Sequence, residues 1–380
     1  MNSKFDDIRP YYPSELAPAM QRIADNKHFP AIAGFIFPDR DPAEVRDYVR
    51  NIRTVEELQL GIMSAFLETV LKKSAGRFTH SGLEYLHPEG SYLFVSNHRD
   101  ITLDAMLFQY LLTKNGLPTT EVSFGSNLMS SQLVIDIGKS NKMFTVFRGG
   151  NLRDFYNNSQ HLSDYIRHTI TGKKESVWIA QRNGRTKDGD DATDQGIIKM
   201  FCMSDTSDPV RSAATLHIVP MAISYQIEPC DTLKTQELYL SRGGRKYIKK
   251  EGEDLNSILT GMTQPKGDIH ISICKPLEED ELKAIPYKLP NEFHKGVAAL
   301  IDRRIREGYQ LYGNNYIAHD IRSGKDTYSD RYTTEEKAAF TARCEQMLQQ
   351  IEGNKPTLLS IFLGIYANPV DNKPEKNTFC

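Results

Sequence analysis

Apolar positions recur along this chain with two different periods. Between Ala43 and Lys73, Leu58, Ile62, Phe66 and Val70 fall four apart, which predicts a helix burying one stripe. In "GSYLFVSNH" the run Tyr92, Leu93, Phe94, Val95 is continuous instead, which predicts a short buried strand ending at His98. Leu103, Met106, Leu107, Tyr110 and Leu111 return to helical spacing, and "KNGLP" ends that helix. The alternation continues. "MFTVFRGG" reads as a strand running into a glycine pair, and "DFYNNSQHLSDYIRHTITG" as a helix ending at Gly172. "SVWIAQRNGR" is a strand spilling into a polar loop, and "LHIVPMAISY" and "DIHISICKPL" are two further strands. Strands alternating with helices predict an α/β fold, in which chemistry gathers in loops at the carboxyl ends of strands. His98, Arg148 and the loop from Arg182 to Asp191 all occupy such ends.

The pattern divides the chain into a helical N-terminal extension over 1–80, an α/β domain over 81–290 and a helical C-terminal extension over 291–380. Prolines punctuate the first part up to Pro42, and helices are predicted from Pro290 to about Glu307 and from Thr334 to Ile351. The apolar stretch "LLSIFLGIY", Leu358 to Tyr366, is too short to span a bilayer. It is either a helix packed on the body or a peripheral membrane foot.

With 25% charged residues, 39% hydrophobic residues and a formal net charge of -2, the chain has the composition of a folded protein with no global attraction for nucleic acid. Any basic site must be local. Met1 to Arg9 lacks the layout of a secretory signal, so a cytoplasmic location is expected. The cysteines, Cys202, Cys230, Cys274, Cys344 and Cys380, are scattered with no C-x-x-C pair, which predicts reduced structural thiols. Asp188, Asp190 and Asp191 follow a basic loop, but "DGDDATD" lacks the glutamate and spacing of an EF-hand, so no metal is expected.

Of the histidines, only His98 sits at a strand-to-helix junction with acidic residues close by. His98-Arg99-Asp100 matches the catalytic triplet of a protein kinase, but position 105 is Ala rather than asparagine and no glycine-rich loop precedes it. There is no G-x-S-x-G elbow, no H-E-x-x-H and no Walker loop. What remains is a histidine with a nearby aspartate where strand and helix ends expose backbone donors.

Four blocks in order give this histidine a context. They are Asn97-His98 with a following aspartate, the strand "FTVFRGG" ending at Arg148, "VWIAQRNGRTKDG" with Gly184 and Arg185, and "HIVPMAISY" with Val219 and Pro220. In that order they resemble the glycerolipid acyltransferases, the group of glycerol-3-phosphate and 1-acylglycerol-3-phosphate acyltransferases. Two features depart from the family pattern. Five residues separate His98 from Asp104 where the family has four, and no glutamate occupies the third block.

The resemblance implies a mixed central sheet flanked by helices, glycerol-3-phosphate acyltransferase-like, between helical extensions. It implies acyl transfer from acyl-CoA or acyl carrier protein to a hydroxyl of a phosphate-bearing lipid precursor, without cofactor, at a peripheral membrane contact. His98 would be the general base and Asp104 its orienting partner, with Asp100 as the rival. Arg148, Gly184 and Arg185 would hold the acceptor's phosphate, with Lys187 and Arg182 behind them. Two other outcomes stay open: a lipid-binding protein of the same fold without turnover, and a lipid thioester hydrolase in which the same base activates water.

Overall fold

The computed structural model describes residues 4–129, 131–245 and 247–374; Cys380 lies outside them. Seven strands form one mixed sheet: β1 (Ala75–Ser81), β2 (Leu93–Ser96), β3 (Glu121–Gly125), β4 (Met143–Val146), β5 (Val177–Ala180), β6 (Ile218–Tyr225) and β7 (Gly267–Ile273). Their spatial order is β1-β7-β6-β2-β5-β3-β4, and every neighbouring pair is parallel except β6 and β7. The ends of β2, β3, β4 and β5 therefore face one edge of the sheet. That common direction brings His98, Arg148 and the loop after β5 together although they are far apart in sequence.

The central strands are apolar throughout because both faces of the sheet are covered. Leu93, Val95, Val177, Ile179 and Ile218 share one core with Phe293, Val297 and Ile301 of the helix Pro290–Gly308. Phe94, Trp178, Val219 and Met221 point the other way and meet Leu107, Phe108 and Leu111 of the helix Leu103–Lys114. Successive residues of one strand thus feed two cores.

Two expectations are corrected at element level. The stretch from Ala43 to Lys73 is not one helix: Pro42–Arg50 ends at Asn51, and a second helical run begins at Val55 and passes through a π-helical turn at Gln59–Met63. Thr54 restarts it as an N-cap, its hydroxyl accepting from the Glu57 amide while the Glu57 carboxylate accepts from the Thr54 amide. Second, β1 begins at Ala75, inside the segment expected to be helical, and pairs only with β7 as an edge strand. The two readings of "LLSIFLGIY" also separate here, in favour of packing on the body. The stretch lies in the helix Lys355–Asp371, whose Leu358, Phe362, Leu363, Ile365 and Tyr366 are buried against Ile317, Phe340 and Met347. Among the described residues no helix is long and apolar enough to cross a membrane.

Candidate active site

β2 ends at Ser96, and the side chain of Asn97 extends its pairing with β6. The Asn97 amide oxygen accepts from the Ile223 amide at 2.8 Å and its nitrogen donates to the Ile223 carbonyl at 3.0 Å. The chain is thereby fixed at the residue before His98. The following loop wraps around one carboxylate. Asp104, in the first turn of the helix Leu103–Lys114, presents Oδ2 to His98 Nδ1 at 2.9 Å, to the Arg99 amide at 2.6 Å and to the Asp100 amide at 2.9 Å. Its Oδ1 accepts from the Tyr225 hydroxyl at 2.7 Å. The additional residue between His98 and Asp104 is absorbed by this turn, whose two amides close on the carboxylate instead of pushing it away. Asp100 is occupied elsewhere. Its Oδ1 accepts from the amides of Thr102 and Leu103, both at 2.9 Å, and so caps the helix start.

Asp104 is completely buried, which opposes its charge, but the bonds from His98, the loop amides and Tyr225 outweigh that and hold its carboxyl below the ordinary aspartate range. An acceptor-only carboxylate fixes His98 Nδ1 as the donor, leaving Nε2 with its lone pair free. The imidazole stands edge-to-face against Trp178, ring centroids 5.8 Å apart, and its side chain is 15% exposed, enough for a substrate atom to reach it.

Beneath this loop lies a charged network. Arg99 is fully buried; its guanidinium contacts Asp191 at 2.5 Å and Glu228 at 3.2 Å and stands over the Tyr309 ring. Burial opposes the Arg99 charge, but Asp191 and Glu228 prevail and hold its guanidinium firmly protonated. Lys234 Nζ donates to the Arg99 carbonyl at 2.7 Å and pairs with Glu228 at 2.5 Å. Asp191 also accepts from Asn97 Nδ2 at 3.0 Å. Asp191, read in the sequence only as part of the acidic run after the basic loop, is therefore an internal partner of the loop that carries His98. The Thr186 amide donates to the His98 carbonyl at 2.7 Å, a bond that ties the loop after β5 directly to the histidine.

In front of His98 opens a cavity of about 650 Å³. Its wall is largely apolar, with Val122, Phe124, Met143, Leu162, Trp178 and Met200 among the lining residues. Arg148, Arg182 and Gly184 line it too. Neither Arg148 nor Arg182 has a carboxylate within ion-pairing distance among the described residues, and burial lowers the Arg148 pKa from its usual value while Asp254 opposes that shift. An arginine on a cavity wall with no carboxylate in ion-pairing reach can offer its guanidinium to an anion. Gly184 adopts φ +77°, a left-handed conformation that lets the loop turn beside the cavity.

The remaining two predicted cations are elsewhere. Lys187 is paired with Glu237, and Arg185 stands beside Cys230 with its Nη1 buried and unpartnered; neither lines the cavity. Arg182 and Arg185 thus exchange their expected places: Arg182 lines the cavity beside Arg148, and Arg185 lies behind with Lys187.

A model of the family described as Acyltransferase matches residues 77–224. This segment is an acyltransferase domain. No curated protein matches the chain. Among solved structures, the 1-acyl-sn-glycerophosphate (LPA) acyltransferase PlsC from Thermotoga maritima aligns at 17% identity and a TM-score of 0.36, over 78% of this chain and 95% of that one.

The acyltransferase domain contains His98, Asp104, Arg148, Arg182 and Asp191, but its loop is also held from outside. Glu228 and Lys234 lie beyond residue 224, and Asp231 on the same helix as Lys234 is gripped by Arg343 at 2.6 Å and by the Tyr366 hydroxyl at 2.6 Å. Arg99, Tyr225 and Lys234 were not singled out from the sequence. Arg99 carried one signal, a charged residue directly after an apolar strand and histidine; Tyr225 and Lys234 carried none, because only the crossing of β6 and the helix Asp231–Leu240 brings them near.

Proposed function

We propose that this acyltransferase moves a fatty acyl group from a thioester of coenzyme A or acyl carrier protein to a hydroxyl of a phosphate-bearing lipid precursor. Glycerol 3-phosphate or its 1-acyl form is the acceptor class, and His98 is the general base. The observation that carries this reading is the oriented His98–Asp104 pair facing an apolar cavity that also holds two arginines without counter-ions. His98 Nε2 takes the proton as the acceptor oxygen attacks the thioester carbonyl carbon. The tetrahedral species then expels the thiolate, which recovers the proton from the imidazolium. Asp104 keeps the imidazole in the required tautomer and stabilises its charged form. No covalent enzyme intermediate is needed.

The apolar wall suits the acyl chain, and Arg148 and Arg182 suit the phosphate. The same reading has the protein work in the cytoplasm at the inner face of the membrane, where a lipid acceptor is presented. The test is an acyl-transfer assay with long-chain acyl-CoA and acyl carrier protein as donors, and glycerol 3-phosphate, its 1-acyl form and amino-acid lipids as acceptors. An acylated phosphate-bearing product supports the reading. Thioester loss without an acylated acceptor would replace it with a hydrolase, and no reaction with any pair would leave a lipid-binding protein.

A further inference from the structure

The C-terminal helix Lys355–Asp371 lies far outside the acyltransferase domain in sequence, yet it reaches both loops that meet at His98. The first line runs through Tyr366, whose side chain is buried. Its hydroxyl donates to Asp231 Oδ2 at 2.6 Å and accepts from the Glu228 amide at 3.1 Å. Burial and the neighbouring Asp231 charge push the Tyr366 pKa well up, so the hydroxyl keeps its proton and its role as donor. From Glu228 the line continues to the His98 loop. The Glu228 carboxylate contacts Arg99 at 3.2 Å and Lys234 at 2.5 Å, and Lys234 in turn donates to the Arg99 carbonyl at 2.7 Å.

The second line runs through the loop after β5. Gly189, at φ +80°, lies so close to the helix that a Cβ there would fall 2.2 Å from the Ile365 carbonyl oxygen. Only glycine permits that approach. On either side of it, the Asp188 carbonyl accepts from Asn368 Nδ2 at 2.8 Å and Asp190 Oδ1 accepts from Asn372 Nδ2 at 2.9 Å. The same loop carries Arg182 on the cavity wall, the Thr186 amide bonded to the His98 carbonyl, and Asp191 paired with Arg99. Both lines therefore end at His98 and Arg99.

We infer that Tyr366 is a positioning residue for acyl transfer, and that the C-terminal helix sets where the His98 loop stands relative to Arg182. The inference rests on the proposed function for what this positioning serves. Packing alone does not account for the hydroxyl. Leu358, Phe362 and Leu363 already seat the helix against Ile317, Phe340 and Met347, and a phenylalanine at 366 would fill the ring's space without burying a polar group. A buried hydroxyl is costly unless bonded. Both bonds of this one lead toward Arg99, directly through Glu228 and, through Asp231, along the helix that carries Lys234. Small displacements of a reacting group carry large rate penalties, so a brace on the His98 loop bears on turnover more than on substrate binding.

The experiment compares the full chain with Tyr366→Phe, Asn368→Ala and, as a control for lost stability alone, Met20→Ala, whose side chain is buried among the N-terminal helices. Amide hydrogen exchange is read by peptide mass spectrometry without substrate. Tyr366→Phe should speed exchange in segment 97–104, where the Arg99 and Asp100 amides bond Asp104, and Asn368→Ala should do so in segment 182–191, with β7 unchanged in both. In the transfer assay, Tyr366→Phe should lower kcat by about ten-fold with little change in either KM. Asn368→Ala should also raise the acceptor's KM, because its loop carries Arg182. Met20→Ala should lower the denaturation midpoint and leave local exchange in both segments and kcat of the folded protein unchanged. Unaltered exchange in both segments, exchange accelerated equally along the chain, undiminished kcat in Tyr366→Phe, or a kcat that follows the denaturation midpoint across all three variants overturns the inference. The two proposals fail separately. Absence of transfer by the unaltered protein with every donor and acceptor rejects the proposed reaction, while exchange alone still decides whether Tyr366 holds the His98 loop.

Discussion

Arg99 and Arg148 both follow strands at the same edge of one sheet, yet they occupy opposite environments. Arg99 lies behind the histidine, fully buried between Asp191 and Glu228, with Tyr309 against its plane. Arg148 lies in front, on the cavity wall, exposed and with no carboxylate in ion-pairing reach among the described residues. The difference separates two uses of a cation. One is committed to holding the loop in place, and its charge is neutralised internally. The other has no carboxylate in ion-pairing reach among the described residues, and in the proposed function its guanidinium fork receives the acceptor's phosphate.

This contrast is open to direct attack. Arg99→Met should destabilise the fold by about 3–5 kcal/mol, because removing one member of a buried network leaves the others charged and unpaired; chemical denaturation measures it. A near-neutral result would mean that Arg99 does not brace the loop. Asp104→Asn should lower the transfer rate by about 10²-fold, within the range of positioned general-base catalysis, with little change in either KM. If the KM values rise and kcat holds, Asp104 serves binding and the orienting role is wrong. Arg148→Ala should leave stability unchanged and raise the acceptor's KM by roughly ten-fold, as expected for one charge-assisted hydrogen bond. An equal change in the donor's KM would remove its phosphate role.

Lys266 sharpens the comparison as a third case. It is buried like Arg99 but has no ion pair among the described residues, and bonds instead to the Ser74 hydroxyl and the carbonyls of Met262 and Gln264. Burial lowers its pKa to about 8. The unfolded chain, with a lysine pKa near ~10.4, therefore binds more protons than the folded one between those values. Stability should rise with pH across that window. Lys266→Met should lose this slope, as read from denaturation midpoints measured at pH 8 and above; an unchanged slope would show that Lys266 is not its source.

Much of this architecture was legible in the chain because the central strands are buried on both faces and so read as continuous apolar runs. Leu93–Val95 and Ile218–Tyr225 are of that kind. β1 was not legible, since the exposed edge strand "AGRFTHS" carries no apolar alternation, and β3, "EVSFG", has only Val122 and Phe124 to mark it and was not predicted. The His98 junction and Arg148 followed from strand ends. Asp104 was preferred to Asp100, but the turn whose amides fold back onto its carboxylate was not legible, being a feature of backbone path and not of composition. That Arg182 and not Arg185 lines the cavity was likewise invisible, since it depends on the path of a loop that the residue types do not specify.

The central claim is that His98, oriented by Asp104, removes the proton from the acceptor hydroxyl. The most direct measurement is the rate of acylated product formation by the unaltered protein and by His98→Ala, with the same donor and acceptor and with folding verified by matched denaturation curves. The account predicts product from the first and a loss of at least ~10²-fold in the second. Undiminished transfer by folded His98→Ala would contradict it.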